Sequence, residues 1–276
     1  MRMKLKDLLR DKLSDSELDS LIQSYDLVGD MAITIIPPEL SHRQRLIGEA
    51  ILATNKRIKV VATRDGLHHG EFRTIPLKIV AGEQRKETLH VEFGVRLLVN
   101  PEQVYFSVRS GSERKRVADL VLPGEDVLVM FSGVAPYPLM VNRFSRAAAI
   151  VGIESNPIAH DYALRNLQLN RAEDRVSVFC GDVAEVLPRL EGSYHRIIMP
   201  LPTASLDYLP LALNSLKTGG TIHLYYFRPI GRSDNSLIAI DNACRKAGRR
   251  VAHSTEIPCG HTSPSTNRSC IDCLIE

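Results

Sequence analysis

Between Gly124 and Pro157 the chain reads GEDVLVMFSGVAPYPLMVNRFSRAAAIVGIESNP, and few folds can use such a run. Val127–Phe131 is a short apolar stretch, suited to a strand buried on both faces of a parallel sheet. Ser132-Gly133-Val134-Ala135-Pro136 is a tight turn of small residues, and a helix can start at Tyr137 and run to Ser145. Ala147–Ile153 is a second β-rich run, and it ends on Glu154. Strand, small turn, helix, strand and acid make a βαβ half-unit that can hold a nucleoside. Backbone N–H groups approach the ligand at the turn, and the acid accepts both ribose hydroxyls. A dinucleotide fingerprint would place glycine where Ala135 stands, so an NAD site is weakly supported. The plain alternative is that any doubly wound sheet needs such a turn and that Glu154 is a solvated strand end.

The pattern continues downstream. Asn156-Pro157 stops the strand and presets a helix start, and Ile158–Asn170 carries Ile158, Tyr162, Leu164, Leu167 and Leu169 as an amphipathic helix. Val176–Cys180 is a third apolar run, closed by Gly181-Asp182. Acids after successive strands, Glu154 and Asp182, lie along the carboxyl edge of a parallel sheet, where open α/β sheets bind ligands. One can take the ribose and the other the adenine amino group. His195–Met199 is a fourth strand ending in Pro200-Leu201-Pro202, either an ordinary loop or a stiff wall for a planar base.

With 276 residues, 44% hydrophobic and 24% charged, the chain has room for a catalytic domain and a smaller one, and disordered or fibrous classes are excluded. Apolar runs are broken by charge well short of a membrane span and no signal peptide is evident, so no membrane association and a cytoplasmic setting are expected. The net charge of +3 says little by itself. Its distribution is more informative, because Arg64, Arg73, Arg85, Lys86, Arg109, Arg114, Lys115 and Arg116 fall in one part of the chain. Folded together they form either a phosphate-binding footprint or a solvated surface. Five cysteines do not suggest a disulfide framework. Cys270 and Cys273, with Cys259 and His261 nearby, have metal-like spacing, but Ser269–Ile275 also reads as a strand that sends the two cysteines to opposite faces. No metal site is expected.

The first hundred residues read as a small α+β domain (1–100), the remainder (101–276) as the doubly wound domain. Met1–Ser24 predicts one or two short helices, Asp26–Ile36 contains one strand, and Ser41–Thr54 is a helix capped by its serine. Strands follow at Ile58–Ala62, Phe72–Val80 and Glu87–Phe93, with a hairpin of Arg96–Val99 and Val104–Val108 around Asn100-Pro101. His69-Gly70-Glu71-Phe72-Arg73-Thr74 is a polar loop entering a strand, and Ser112-Glu113 can open a helix. On the residues alone, Arg73 pairs with Glu71 or Glu83, and Glu113 is a first-turn acid favoured by the helix dipole.

The series V-MFSGVAPY, GIESNP, LRNLQLN, GDV, RIIMPLP and KTGGTIHLYYF, with GEFRT, AGE, FGVRLLVN and VYFSVRSGSERKR upstream and SPSTNRSCIDCLI downstream, resembles the Trm5 family. These are tRNA (guanine37-N1)-methyltransferases, within a Trm5/TYW2 superfamily whose other members build the wybutosine side chain. The resemblance implies a Rossmann-like class I methyltransferase domain preceded by a small α+β domain that contacts tRNA. It implies S-adenosyl-L-methionine as cofactor, tRNA as partner, and a monomer. Arg73 matches the family's catalytic arginine and Glu113 its catalytic acid. Phe131, Gly133 and Pro136 would line the methionine side of the cofactor, with Glu154 and Asp182 at ribose and adenine. Leu201 and Pro202 would lie beside the cofactor, and Tyr105, Arg109 and Pro200 beside the target base. Val129 stands where the family has aspartate, Ala135 where it has glycine, and Pro200 where it has asparagine. The reaction expected is methylation of N1 of guanosine 37. Aminocarboxypropyl transfer at the same position, or a non-catalytic RNA-binding relative, are the alternatives.

Overall fold

In the computed structural model, residues 4–66, 70–230, 236–263 and 266–276 are described, and the chain divides into two units, Met1–Val108 and Arg109–Glu276. The first unit opens with α1 (Leu5–Leu9) and α2 (Asp15–Ser20). A capping box starts α2: the Glu17 N–H donates to Ser14 Oγ (3.3 Å) and the Ser14 N–H to Glu17 Oε2 (2.8 Å). The stretch expected to hold one strand is a hairpin, β1 (Tyr25–Val28) against β2 (Met31–Thr34). Gly29 turns the chain at φ 59°, and a Cβ there would sit 2.3 Å from Thr88 Oγ1. No residue but glycine fits that turn.

Ser41 caps nothing. It lies inside a 3-10 turn, Pro38–Arg43, that feeds α3 (Gln44–Thr54). Next come β3 (Val60–Arg64) and β4 (Leu77–Gly82), giving a sheet of order β1-β2-β3-β4 in which only β2 and β3 run parallel. β5 (Thr88–Glu92) and β6 (Val95–Val99) form a separate hairpin. The partner of β6 is thus the strand before it, and residues 104–108 form no strand, contrary to the hairpin expected around Asn100-Pro101. Leu5, Leu9, Leu18, Leu40, Ile47 and Ile51 pack with Ala32 and Val61 as this unit's core.

The second unit contains α4 (Gly111–Asp119), β7 (Asp126–Met130), α5 (Pro136–Phe144), β8 (Ala149–Glu154), α6 (Pro157–Asn170) and β9 (Val176–Cys180). It continues through α7 (Val183–Val186), β10 (Tyr194–Met199), α8 (Leu209–Ser215), β11 (Leu216–Pro229), α9 (Ser236–Lys246), β12 (Val251–Ser263) and β13 (Thr266–Ile275). Its seven strands are ordered β12-β13-β11-β10-β7-β8-β9. The five from β11 to β9 are parallel to their neighbours, and β13 is antiparallel to both β11 and β12. Chain order moves outward from β7 to β9 and then restarts on the other side of β7 with β10. The carboxyl ends of β7 and β10 therefore flank the switch point where such sheets open a ligand crevice. Leu128, Met130, Ile197, Met199, Ile222 and Leu224 fill the core beneath it. No helix among the described residues is long and apolar enough to cross a membrane.

Candidate active site

The turn after β7 is the most constrained backbone of the second unit. Phe131, Gly133 and Ala135 all have positive φ (59°, 56° and 66°), so the chain coils tightly before Pro136 starts α5. Proline suits that first helical position, because it lacks the N–H that would be unpartnered there. Ser132 N–H donates to Ile153 O (2.8 Å), and Asn166 on α6, wholly buried, donates its amide to Val134 O (3.0 Å). Glu154, the last residue of β8, is 9% exposed. Its Oε2 accepts from the Gly133 N–H at 2.7 Å and its Oε1 from the Asn156 N–H at 2.8 Å. The solvated-end alternative does not describe it. Burial raises its carboxyl above the usual range, and the backbone donors partly offset this. The Ser155 N–H also acts on the carboxylate, so of its roughly four lone-pair sites about one stays open to a ligand hydroxyl.

Asp182 follows β9 and caps α7, accepting from the Ala184 N–H (2.7 Å), while Tyr208 donates its hydroxyl to Asp182 Oδ2 (3.3 Å). The Tyr208 ring meets Phe131 edge-on, centroids 4.9 Å apart. After β10, Pro200, Leu201 and Pro202 are half-buried, and Ser205 pins this loop by donating to Met199 O (2.9 Å) and Leu201 O (2.8 Å). Phe131, Gly133, Pro136, Glu154, Asp182 and residues 200–202 thus share one sheet edge. Tyr208, Asn166 and Ser205 are additions that the sequence reading lacked. Their signal was weak because each works through a contact with a distant segment.

Glu113 is the third residue of α4 and is 8% exposed. Arg116, one turn on, donates to it through Nε and Nη2, both at 2.8 Å, and Tyr225 on β11 donates its hydroxyl to Oε1 at 2.6 Å. Tyr137 in turn donates to the Tyr225 hydroxyl (2.8 Å). Burial first, then its interaction with Glu113, pushes the Cys259 thiol up to about 12. A first-turn helix acid needs none of this. Arg116 also reaches Asp272 on β13 (2.6 and 3.2 Å). His223 Nδ1 lies 2.6 Å from Asp272 Oδ1, and His223 Nε2 lies 2.7 Å from Arg196 Nη1. A guanidinium only donates, so Nε2 accepts and the proton sits on Nδ1, facing Asp272. Burial lowers the His223 value, keeping the ring neutral despite the carboxylate beside it. Burial alone would raise Asp272, but hydrogen bonds from His223 and Arg116 outweigh it and hold the carboxyl below the usual range.

His223, Cys270 and Asp272 bring ligand-type atoms within 4.8 Å of one another. Both imidazole nitrogens are engaged, and two guanidinium groups border the cluster, so it works as a hydrogen-bond relay. Cys270 and Cys273 lie three residues apart on β13, opposite Tyr225 and Ile222. His69 and the His261 side chain lie outside the described residues.

In the first unit Arg73 has φ 52° in a turn closed by its N–H to Gly70 O (3.3 Å), and its guanidinium stacks on the Tyr105 ring at 5.3 Å. Arg109 is exposed at the start of the second unit. The basic cluster is less available than its sequence suggests. Arg64, Arg85, Lys86, Lys115 and Arg116 face carboxylates, and Arg114 is 3% exposed.

The strand order and the acid-floored turn at its switch point define a doubly wound nucleoside-binding protein. The chain belongs to the TRM5/TYW2 methyltransferase family: residues 88–253 match the TRM5/TYW2 methyltransferase domain, and residues 5–85 match the TYW2 N-terminal domain. It is 37% identical over 208 residues to tRNA (guanine(37)-N(1))-methyltransferase Trm5b of Pyrococcus abyssi, covering 75% of this chain and 61% of that protein. The chain thus spans about three fifths of that relative's length. It is 31% identical over 222 residues to tRNA 4-demethylwyosine(37)-methyltransferase Taw21 of Saccharolobus solfataricus, covering 80% of this chain and 83% of that one. A solved complex of aTrm5 with tRNALeu superposes with a TM-score of 0.86 at 29% identity, covering all of this chain and 79% of the other.

Proposed function

We propose that this protein is an S-adenosyl-L-methionine-dependent tRNA (guanine37-N1)-methyltransferase, acting as a cytoplasmic monomer without a metal. The observation that carries this reading is Glu154, buried beneath the Gly133 turn at the carboxyl end of β8. That position, at the switch point of the sheet, fits a ribose hydroxyl. Asp182 would take the adenine amino group, and Phe131, Gly133 and Pro136 would face the methionine arm, with Leu201 and Pro202 along the opposite wall. Bound there, the cofactor supplies an electrophilic methyl group on a sulfonium sulfur.

Guanine N1 carries a proton and is a poor nucleophile until that proton leaves. Glu113, whose Oε1 accepts from Arg116 and Tyr225 and whose Oε2 accepts from Arg116, takes it as general base. Negative charge developing on O6 is met by the Arg73 guanidinium. With N1 deprotonated by Glu113 and O6 held by Arg73, the N1 electron pair would be placed to take the methyl group that the cofactor would supply. Orientation supplies much of the acceleration, about 7–11 kcal/mol at most. Tyr105, Arg109 and Pro200 are the residues we assign to the target base and its phosphates, with the small domain of residues 1–100 contacting tRNA ahead of the catalytic domain of residues 101–276.

The match of residues 5–85 to the TYW2 N-terminal domain favours a second reading, in which the base at position 37 is already a wyosine precursor or receives an aminocarboxypropyl group. One experiment separates them. Cofactor labelled in the methyl group or in the aminocarboxypropyl arm is incubated with tRNA bearing guanosine or 4-demethylwyosine at position 37, and the nucleosides are read by mass spectrometry. Methyl label on N1 of guanosine is expected. Label from the other arm, or on the precursor alone, replaces the first reading with the second.

A further inference from the structure

Buried Glu113 and half-buried Asp272 divide a single guanidinium. Arg116 gives Nε and Nη2 to Glu113, and Nη1 with a longer contact from Nη2 to Asp272. Asp272 is held from its other side by the neutral His223 ring, which Arg196 orients. Arg196 is itself anchored on Glu125 (2.7 and 3.1 Å) and Leu120 O (2.8 Å). The second carboxylate is therefore fixed in place rather than left to drift.

Among the described residues, the charged and titratable groups around Glu113 come from five elements. Arg114 and Arg116 are on its own helix, Tyr137 is on α5, and Tyr225 and His223 are on β11. Cys259 is on β12, and Arg268, Cys270 and Asp272 are on β13. Arg268 bonds Ser110 Oγ (2.8 Å) and Cys259 O (3.1 Å). Among the described residues only Asp272 both competes for Arg116 and adds negative charge.

We propose that Asp272 is a positioning residue for Glu113, acting through Arg116: by taking a share of the guanidinium it leaves Glu113 basic enough to accept a proton. An undivided Arg116 would stabilise the Glu113 carboxylate more strongly, and losing the neighbouring negative charge works in the same direction. A more stabilised carboxylate is a weaker base. The proposal rests on reading Glu113 as the base.

The test is the pH dependence of single-turnover methylation across about pH 5–9, with saturating tRNA and cofactor, for wild type, Asp272→Asn, Arg116→Lys and Glu113→Gln. In Asp272→Asn the acid limb moves down by about one pH unit and the plateau falls by up to about tenfold, with KM for tRNA changing less than about twofold. In Arg116→Lys, which keeps the charge but loses the fork, the acid limb moves to higher pH. A merely structural Asp272 would lower the melting temperature and leave the limb in place. Such an unmoved limb, with Glu113→Gln inactive, overturns the proposal while the base assignment stands. If Glu113→Gln methylates as fast as wild type, the base assignment itself fails. Should Asp272→Asn not fold, as read by circular dichroism, an unmoved limb in Arg116→Lys overturns the proposal instead.

Discussion

Two buried carboxylates, Glu154 and Glu113, are held by different kinds of partner. Glu154 is satisfied by backbone N–H groups alone, so its environment is set by the course of the chain around it. Glu113 is satisfied by side chains, Arg116 and Tyr225, which can be removed one at a time. This difference predicts different sensitivities. Glu154→Gln turns one acceptor into a donor facing either the Gly133 or the Asn156 N–H, and stranding such a group costs about 1–3 kcal/mol. Calorimetric titration should show S-adenosylmethionine binding weakened by about tenfold or more in a folded protein. Unchanged affinity would remove Glu154 from the nucleoside site.

Among elements, the 131–136 turn decides where the crevice opens. Ala135 is fully buried in a left-handed conformation that costs an alanine about 1–2 kcal/mol. Ala135→Gly relieves that strain but loses a buried methyl, about 0.8 kcal/mol, and adds freedom to the unfolded chain, about 0.4–1 kcal/mol. The terms nearly cancel, so denaturant unfolding should show a change within about 1 kcal/mol. Ala135→Val adds volume and a β-branch at the same positive φ and should destabilise by about 2 kcal/mol or more. Equal stability of the two variants would mean that the turn is not held as described.

For the whole molecule, the relay from Glu113 to Glu125 makes stability depend on pH. His223 has a folded value below its unfolded one, about 6.5, so the unfolded chain binds more protons as the medium is acidified. Its contribution is present above about pH 6.5 and is lost as pH falls through the folded value. Asp272 has the same sign lower down, beginning below its unfolded value of about 3.9. Urea unfolding at about pH 7.5, 6 and 5 should show falling stability in wild type and a flatter response in His223→Asn, which keeps a donor toward Asp272 but cannot take up a proton. An identical slope in both would place the titrating group elsewhere.

Much of the second unit was legible in the order of residues, for a physical reason. A strand buried on both faces must be an apolar run, and its carboxyl end must be released by a turn. Runs at 127–131, 147–153, 176–180 and 195–199, each with its terminal Gly, Pro or acid, therefore disclosed β7 to β10 and the edge where Glu154 and Asp182 stand. The first unit was less transparent, because the Gly29-Asp30 turn sits inside one hydrophobic stretch and the small strands after residue 70 lack periodic signatures. Glu113 shows where the sequence stops being sufficient. Its place at the start of a helix is local information, carried by residues 110–119. Its burial against Tyr225 and the sharing of Arg116 with Asp272 join positions 112 and 156 residues apart. No short-range pattern encodes such pairings, since they exist only once β11 and β13 have been laid antiparallel beside each other, and that registration was decided by the tertiary structure alone.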